Sequence, residues 1–231
     1  MHPTAIANCQ QFFDCYGKFI PAASPAPKIV EIGSQDVNGS LRGCCPPSYE
    51  YLGVDFVAGK GVDLILTDPY QLPLPDDSAD IVLSSSCFEH SEMFWLLFLE
   101  IMRIVKPGGL FYLNVPANGE FHRWPVDCWR FYPDSGRALV TWAKRNGMNP
   151  VLLESYISTQ VGDQWNDFVA IFLKDESLIN QFPDRIVNSK SDFYNGTSSS
   201  VSGFLKHSVM PEDKKKMLAI KQIIDNEIKI I

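Results

Sequence analysis

The sequence predicts a doubly wound α/β fold, a mostly parallel sheet with helices on both faces. Three observations point there. Runs at 28–32, 50–54, 62–66, 79–83 and 110–115 read as short strands that are largely continuously apolar, as strands buried on both faces are. Helical segments at 92–105 and 135–146 alternate with the strands. The first four strands run into Gly33, Asp55, Thr67-Asp68 and Ser84-Ser85-Ser86. Ligands in open α/β sheets bind outside the carboxyl ends of the strands, so these turns and the following residues to His90 form one candidate site.

Each element has a local reason. Residues 8–20 carry an aromatic face and predict a short helix, and Pro21, Pro25 and Pro27 mark a linker. Lys28–Ile32 is an apolar strand stopped by Gly33. The segment 72–78 (LPLPDDS) is a loop. The helix at 92–105 is apolar on nearly every side and is stopped by the breaker Lys106-Pro-Gly-Gly109. A long aromatic loop at 118–133 follows the fifth strand. The helix at 135–146 has Gly147 as its C-cap, and 151–158 and 167–174 are two further strands. Residues 188–203 are rich in Ser and Gly and predict a mobile loop. Met217, Ile220, Ile224 and Ile228 recur at helical spacing, so 211–231 predicts an amphipathic helix.

The 231 residues suit one domain with additions: a helix and linker at 1–27, a core domain at 28–174, and an extension at 175–231. Hydrophobic residues make up 45% and charged residues 20%, a globular balance. The net charge of −7 argues against a nucleic-acid backbone as partner, and Lys214–Lys216 reads as a solvated helix face. Six cysteines without a Cys-x-x-Cys pair read as reduced thiols of a cytoplasmic protein. No signal peptide is expected at the N-terminus, and the apolar run 93–105 is too short to span a membrane.

The candidate chemistry follows strand by strand. Gly33 allows a sharp bend and close approach by a ligand. Gln35 stands where a nucleotide-binding turn has its second glycine, so either its amide contacts the ligand or the loop has moved off it. Glu31 is a carboxylate in an apolar strand, suited to a ligand ammonium. Asp55 is placed to accept from ribose hydroxyls, with a turn aspartate as the alternative. Asp68 suits an exocyclic amine, again with a turn role as the alternative. In the aromatic loop, Phe121, Trp124, Trp129, Phe131 and Tyr132 stand among His122, Arg123, Asp127 and Arg130. Aromatic platforms with a few polar groups suit a partly apolar, hydroxylated acceptor such as a sugar. The alternative is a packed lid whose Trp and Arg side chains lock one another, the expectation for Trp129 and Arg130.

The ordered set "IVEIGS", "YLGVD", "GVDLILTD", "QLPLPDDSADIVLSSSCFEH" and "FLEIMRIVKPGGLFYLNVP" resembles the class I S-adenosylmethionine-dependent methyltransferases, in the type 11-like group, over about residues 28–174. The stretch 119–140 resembles a segment of methyltransferases associated with sugar and polysaccharide assembly. The resemblance implies a Rossmann-like seven-stranded sheet with its last strand antiparallel, and S-adenosylmethionine as cofactor. It implies Glu31 and Gly33 at the methionine end, Asp55 at the ribose, Asp68 at the adenine, and Phe88 to His90, with Ser85 before them, beside the sulfonium. It also implies that Asp80 supports the fourth strand.

The expected reaction is in-line methyl transfer, most simply O-methylation of a sugar or glycan hydroxyl. His122 is the first candidate for general base, His90 the second, and Asp127 orients the base or binds a hydroxyl. Trp124, Arg123, Arg130 and Tyr132 are the candidate acceptor contacts. No ligand cluster with metal-binding spacing is visible, so no metal is expected. The expected partner is a small-molecule or glycan acceptor, with a homo-oligomer left open and neither nucleic acid nor a membrane span expected. Competing readings are transfer to another small-molecule hydroxyl or amine, a nicotinamide-dependent oxidoreductase, a nucleic-acid amine methyltransferase, and a non-catalytic partner subunit.

Overall fold

The computed structural model describes residues 2–20, 26–162, 164–209 and 212–225. Its strands are β1 (Lys28–Ile32), β2 (Glu50–Asp55), β3 (Leu64–Ile65), β4 (Ala79–Ser85), β5 (Val105–Pro116), β6 (Val151–Ser158), β7 (Asp167–Leu173) and β8 (Phe193–Ser198). The helices are α1 (Pro3–Tyr16), α2 (Phe94–Ile104), α3 (Ser135–Arg145), α4 (Ile186–Ser189) and α5 (Glu212–Ile224). One sheet holds all eight strands in the order β3-β2-β1-β4-β5-β7-β6-β8. The five strands from β3 to β5 run parallel, and β7 pairs antiparallel with both β5 and β6.

The continuous apolarity of the strands has a direct cause: successive residues feed two cores. Val30, Ile32, Val82, Phe111, Leu113 and Phe172 pack with Leu97, Phe98 and Ile101 of α2 and Leu139 and Ala143 of α3. Ile29, Ile81, Leu83, Tyr112 and Ile171 pack on the opposite face with Cys9, Phe12, Phe13 and Tyr16 of α1. Phe12 is fully buried, its ring 5.1 Å from Tyr112 and 5.6 Å from Tyr16. We expect Phe12→Ala to lower the unfolding free energy by about 3–5 kcal/mol, the usual cost of truncating a core phenylalanine. Denaturant titration checks this, and a loss below about 1 kcal/mol would mean that α1 is peripheral to the cooperative core.

Four expectations need correction. The first helix spans 3–16 rather than 8–20, because Pro3 stands in the first turn, where its missing N–H costs nothing. Lys106–Gly109 does not lie between a helix and a strand. It lies within β5, where the register with β4 shifts between Ala79 and Ile81. A Cβ on Gly109 would stand 2.8 Å from the Asp80 carbonyl, so glycine lets the two backbones meet. The sheet has eight strands, not seven, and the stretch expected to be a mobile loop contains β8, antiparallel to β6. There the Ser155 and Thr197 hydroxyls pair at 3.0 Å, so a polar strand is satisfied in a buried place. The linker at Pro21 and Pro25 and the last turn at Ile228 lie outside the described residues. Within α5, Met217, Ile220 and Ile224 are all exposed. No helix among the described residues is long and apolar enough to cross a membrane.

Between β1 and β2 the chain forms no α-helix, only a single 3-10 turn at Leu41–Cys44 on which α1 packs. Asp80 does brace its strand: its carboxylate accepts from Lys106 Nζ at 2.7 and 2.8 Å and from the Lys28 N–H at 2.8 Å. Arg103 ties α2 to the 72–78 loop through Glu100, Asp76 and the carbonyls of Leu72 and Leu74.

Candidate active site

A cavity of about 830 Å³ opens beyond the carboxyl ends of β1, β2 and β4. Gly33, Gln35, Asp55, Ser85, His90, His122, Arg123 and Trp124 line it, as do Val57, Tyr70 and Trp165. Eight of the fourteen expected site residues therefore converge on one space, although they come from four separate segments.

The strand-end turns build one side. Gly33 has φ +80°, and an added Cβ would stand 2.6 Å from Cys87 Cβ and 2.8 Å from its sulfur. The turn therefore needs glycine on two counts, backbone sign and space. The Gly33 and Ser34 N–H groups donate to the Val54 carbonyl, which fixes the bend. Asp55 is 8% exposed and accepts from the Gln35 N–H at 3.2 Å and the Val57 N–H at 3.1 Å. A carboxylate offers about four acceptor positions, so two remain for a ligand. Gln35 accepts from Trp124 Nε1 at 3.4 Å and lies against Gly59, so it links the first turn to the aromatic loop.

The other side comes from the β4 turn and the aromatic loop. The Glu89 carbonyl accepts from the N–H groups of Cys128 at 2.7 Å and Trp129 at 3.2 Å, and this straps the loop down. His90 Nδ1 lies 2.5 Å from the Val126 carbonyl, which can only accept, so Nδ1 carries the proton and Nε2 keeps its lone pair in the neutral ring. Burial pushes the His90 pKa below its ordinary value. His122 Nδ1 lies 3.1 Å from the Glu120 carbonyl and 3.5 Å from Asp127, with the Arg130 guanidinium 3.4 Å away. The His122 ring stands edge-on to His90 and to Trp165, 5.0 Å from each. The Glu89 side chain is 1% exposed, with Oε1 3.7 Å from His90 Nε2 and Oε2 without a hydrogen-bond partner. Burial pushes its carboxyl up to about 8. The ligand atoms of Glu89, His90 and His122 lie within 4.8 Å of one another.

Six expected residues stand elsewhere. Glu31 shares the α1 face with Ile29, because alternate positions of a strand share a face. It is 1% exposed, accepts from the Tyr51 hydroxyl, and does not line the cavity. Phe88 is fully buried between Phe94 and Phe111. Asp68 accepts from the Tyr70 N–H at 2.8 Å as a turn former, and it is Pro69 and Tyr70 that reach the cavity. Asp127 is clamped by Arg130 at 2.6 and 2.9 Å and accepts from the His122 N–H at 2.7 Å. The guanidinium holds the Asp127 carboxyl down to about 2, so Asp127 is a brace beneath His122. Arg130 also donates to the carbonyls of Glu120 and Trp129, as the packed-lid alternative anticipates. Tyr132 is exposed outside the cavity.

Sequence reasoning placed Glu89 in the Phe88–His90 stretch without giving its side chain a role, and it missed His2 and Trp165 as cavity-lining residues. The structure packs Trp165 against Gly119, which has φ +105° and whose added Cβ would stand 1.9 Å from the indole. The pairing of two residues so far apart in sequence is a property of the fold.

The family described as "Methyltransferase domain" matches residues 47–113. Over 96 residues the chain is 32% identical to the phthiotriol/phenolphthiotriol dimycocerosates methyltransferase of Mycobacterium tuberculosis, covering 40% of this chain and 32% of that protein. The chain thus spans about a third of the length of the curated relatives it matches. The 1,6-didemethyltoxoflavin-N1-methyltransferase of Burkholderia thailandensis, solved with S-adenosylhomocysteine, superposes with a TM-score of 0.52 at 13% identity, over 74% of this chain and 79% of that one. The YcgJ protein of Bacillus subtilis gives 0.51 at 14% identity, over 76% and 100%. Sheet order, strand-end cavity and these likenesses define the class I S-adenosylmethionine-dependent methyltransferase fold. The matched stretch runs from just before β2 into β5.

Proposed function

We propose that the protein is an S-adenosylmethionine-dependent methyltransferase that methylates a hydroxyl of a small acceptor with an apolar face, a sugar or glycan hydroxyl by preference. The observation that carries the reading is one cavity lined both by the Gly33 turn and Asp55 and by the cluster of Glu89, His90 and His122. At about 830 Å³ the cavity is near the upper end of the ligand-pocket range, room for a cofactor beside an acceptor.

The residues fit the cofactor. Gly33 lets the first turn close against Cys87 at the cavity wall, and Asp55 keeps acceptor positions for the ribose hydroxyls. Val57, Pro69 and Tyr70 offer apolar surface for a purine. Gln35 serves the cofactor's amino-acid end while holding Trp124. When bound, the cofactor supplies an electrophilic methyl on sulfur. The chain's own work is orientation and exclusion of water. Trp124 and Arg123 receive the acceptor, and the cluster of Glu89, His90 and His122 takes its hydroxyl. We assign the proton of the neutral His122 ring to Nδ1, donated to the Glu120 carbonyl, so that Nε2 meets that hydroxyl. The preference for a sugar rests on the aromatic rim and on the resemblance of residues 119–140.

Titration with S-adenosylhomocysteine and with NAD, followed by an acceptor screen with methyl-labelled cofactor, tests the reading. Binding of S-adenosylhomocysteine alone is expected. His122→Ala is expected to lower kcat by about 10²–10⁴-fold on the true acceptor while leaving S-adenosylhomocysteine affinity within about twofold. Full activity of that variant would remove His122 from the reaction, and tight binding of NAD instead would overturn the reading altogether.

A further inference from the structure

We infer that Glu89, His90 and His122 form a binding site for one divalent transition-metal ion in the wall of the cavity. The ion's open coordination positions face the acceptor. Among the described residues, these three bring one ligand atom each to within 4.8 Å of the other two. Metal–ligand bonds of about 2.0–2.2 Å to a tetrahedral ion would hold such atoms about 3.4 Å apart, so small side-chain rotations close the site.

Three further features are those of a ligand set. His90 directs Nδ1 at the Val126 carbonyl, which leaves its Nε2 lone pair for an ion, and His122 Nδ1 lies between the Glu120 carbonyl and the Arg130 guanidinium. Orientation of a ligating ring by a carbonyl or carboxylate on its far nitrogen is the usual second layer of such a site, and Asp127 adds a carboxylate behind His122. Glu89 Oε2 is buried with no hydrogen-bond partner, a costly state for a carboxylate oxygen unless a cation or donor occupies the space beside it. The cavity runs up to Glu89, His90 and His122, so water or an acceptor oxygen reaches any ion held there.

The donor set chooses the class of ion. Two imidazole nitrogens and one carboxylate favour zinc, cobalt, nickel, iron(II) or manganese over magnesium and calcium, which prefer oxygen alone. Three protein ligands leave positions open, the arrangement of sites where an ion holds a reactant. The existence of the site rests on its geometry. Its service to the acceptor rests on the methyl-transfer reading, in which the acceptor oxygen would then bind the ion instead of His122 directly.

The test is titration of chelator-treated protein with cobalt(II), followed by visible absorption, and with zinc(II), followed by calorimetry. S-adenosylhomocysteine affinity is measured separately on the same samples. One equivalent of cobalt(II) with ligand-field bands is expected, with affinity about 10–100-fold weaker or worse in Glu89→Gln and in His122→Ala. His207→Ala, outside the cavity, should bind as the wild type does. His122 stands on a surface loop, so its variant reports on the ion even if Glu89→Gln folds poorly. Absence of cobalt(II) and zinc(II) binding by the wild type overturns the inference, as does binding undiminished in both variants. Loss of S-adenosylhomocysteine binding with the metal site intact would instead fail the methyl-transfer reading.

Discussion

Gly33→Ala is expected to abolish measurable binding of S-adenosylhomocysteine in the proposed site while leaving the sheet formed. The new methyl would stand 2.6 Å from Cys87 Cβ and 2.8 Å from its sulfur, well inside contact distance. Cys87 sits in the turn after β4, so it moves only with that turn. The φ of +80° adds a second cost of about 1–2 kcal/mol for a residue with a Cβ. Relief comes by shifting the first turn into the cavity or by pushing the Cys87 turn toward Glu89. Either displaces the strand ends on which the site is built. Calorimetric titration should show affinity reduced by at least about 10²-fold, which is about 2.7 kcal/mol. The double variant Gly33→Ala with Cys87→Gly separates the two causes. Removing Cys87 Cβ and Sγ leaves the nearest Cys87 atom, Cα, at 3.8 Å. Binding should recover in part, with the backbone share of the loss remaining. A double-mutant cycle with no coupling energy would refute the steric account.

Glu31→Gln is expected to flatten part of the pH dependence of stability. Burial is the largest influence on this carboxyl and pushes it from 4.5 to about 7, against the opposing hydrogen bond from Tyr51. Below about pH 4.5 the group is protonated both folded and unfolded, and it costs nothing. Between 4.5 and about 7 the unfolded chain releases the proton while the folded protein keeps it, so stability falls as pH rises. Above about 7 the penalty levels off at about 3 kcal/mol, the free-energy equivalent of that gap. Glutamine still accepts from Tyr51 but does not titrate. Denaturant titrations at pH 5 and pH 8 should therefore show a loss between the two that is about 3 kcal/mol smaller in the variant. Glu89, also pushed up by burial, leaves a remaining fall of the same sign in both proteins. Equal losses in variant and wild type would mean that Glu31 ionises as an ordinary surface carboxyl does.

Much of this architecture is legible in the chain. β1 and β6 begin and end where the apolar runs do, and Asp55 closes β2 as its position predicts. Such features are local: an apolar run needs burial, and a glycine or aspartate ends it. β8 was hidden because its polar residues match a loop composition until β6 supplies their partners. The length of α1 was hidden because Thr4 and Asn8, polar in sequence, are buried in the fold, where Asn8 donates to Asn114 at 3.0 Å.

The sequence by itself determined the fold class, the strand-end location of the site, and the presence of an aromatic loop rich in His, Arg and Asp. Only the tertiary structure decided which side chains face the cavity. Glu31 and Ile32 are neighbours, yet the period of two sends one under α1 and the other to the cavity wall. Asp127 and His122 look alike as candidate catalysts, but the guanidinium of Arg130 clamps the carboxylate at 2.6 and 2.9 Å, and of the two only His122 lines the cavity. Glu89 and His90 meet His122 across 32 intervening positions because the Glu89 carbonyl straps the loop above it. Residue type and local pattern are written in the chain, whereas convergence of side chains depends on contacts distant in sequence, which only the packed sheet and its loops bring into being.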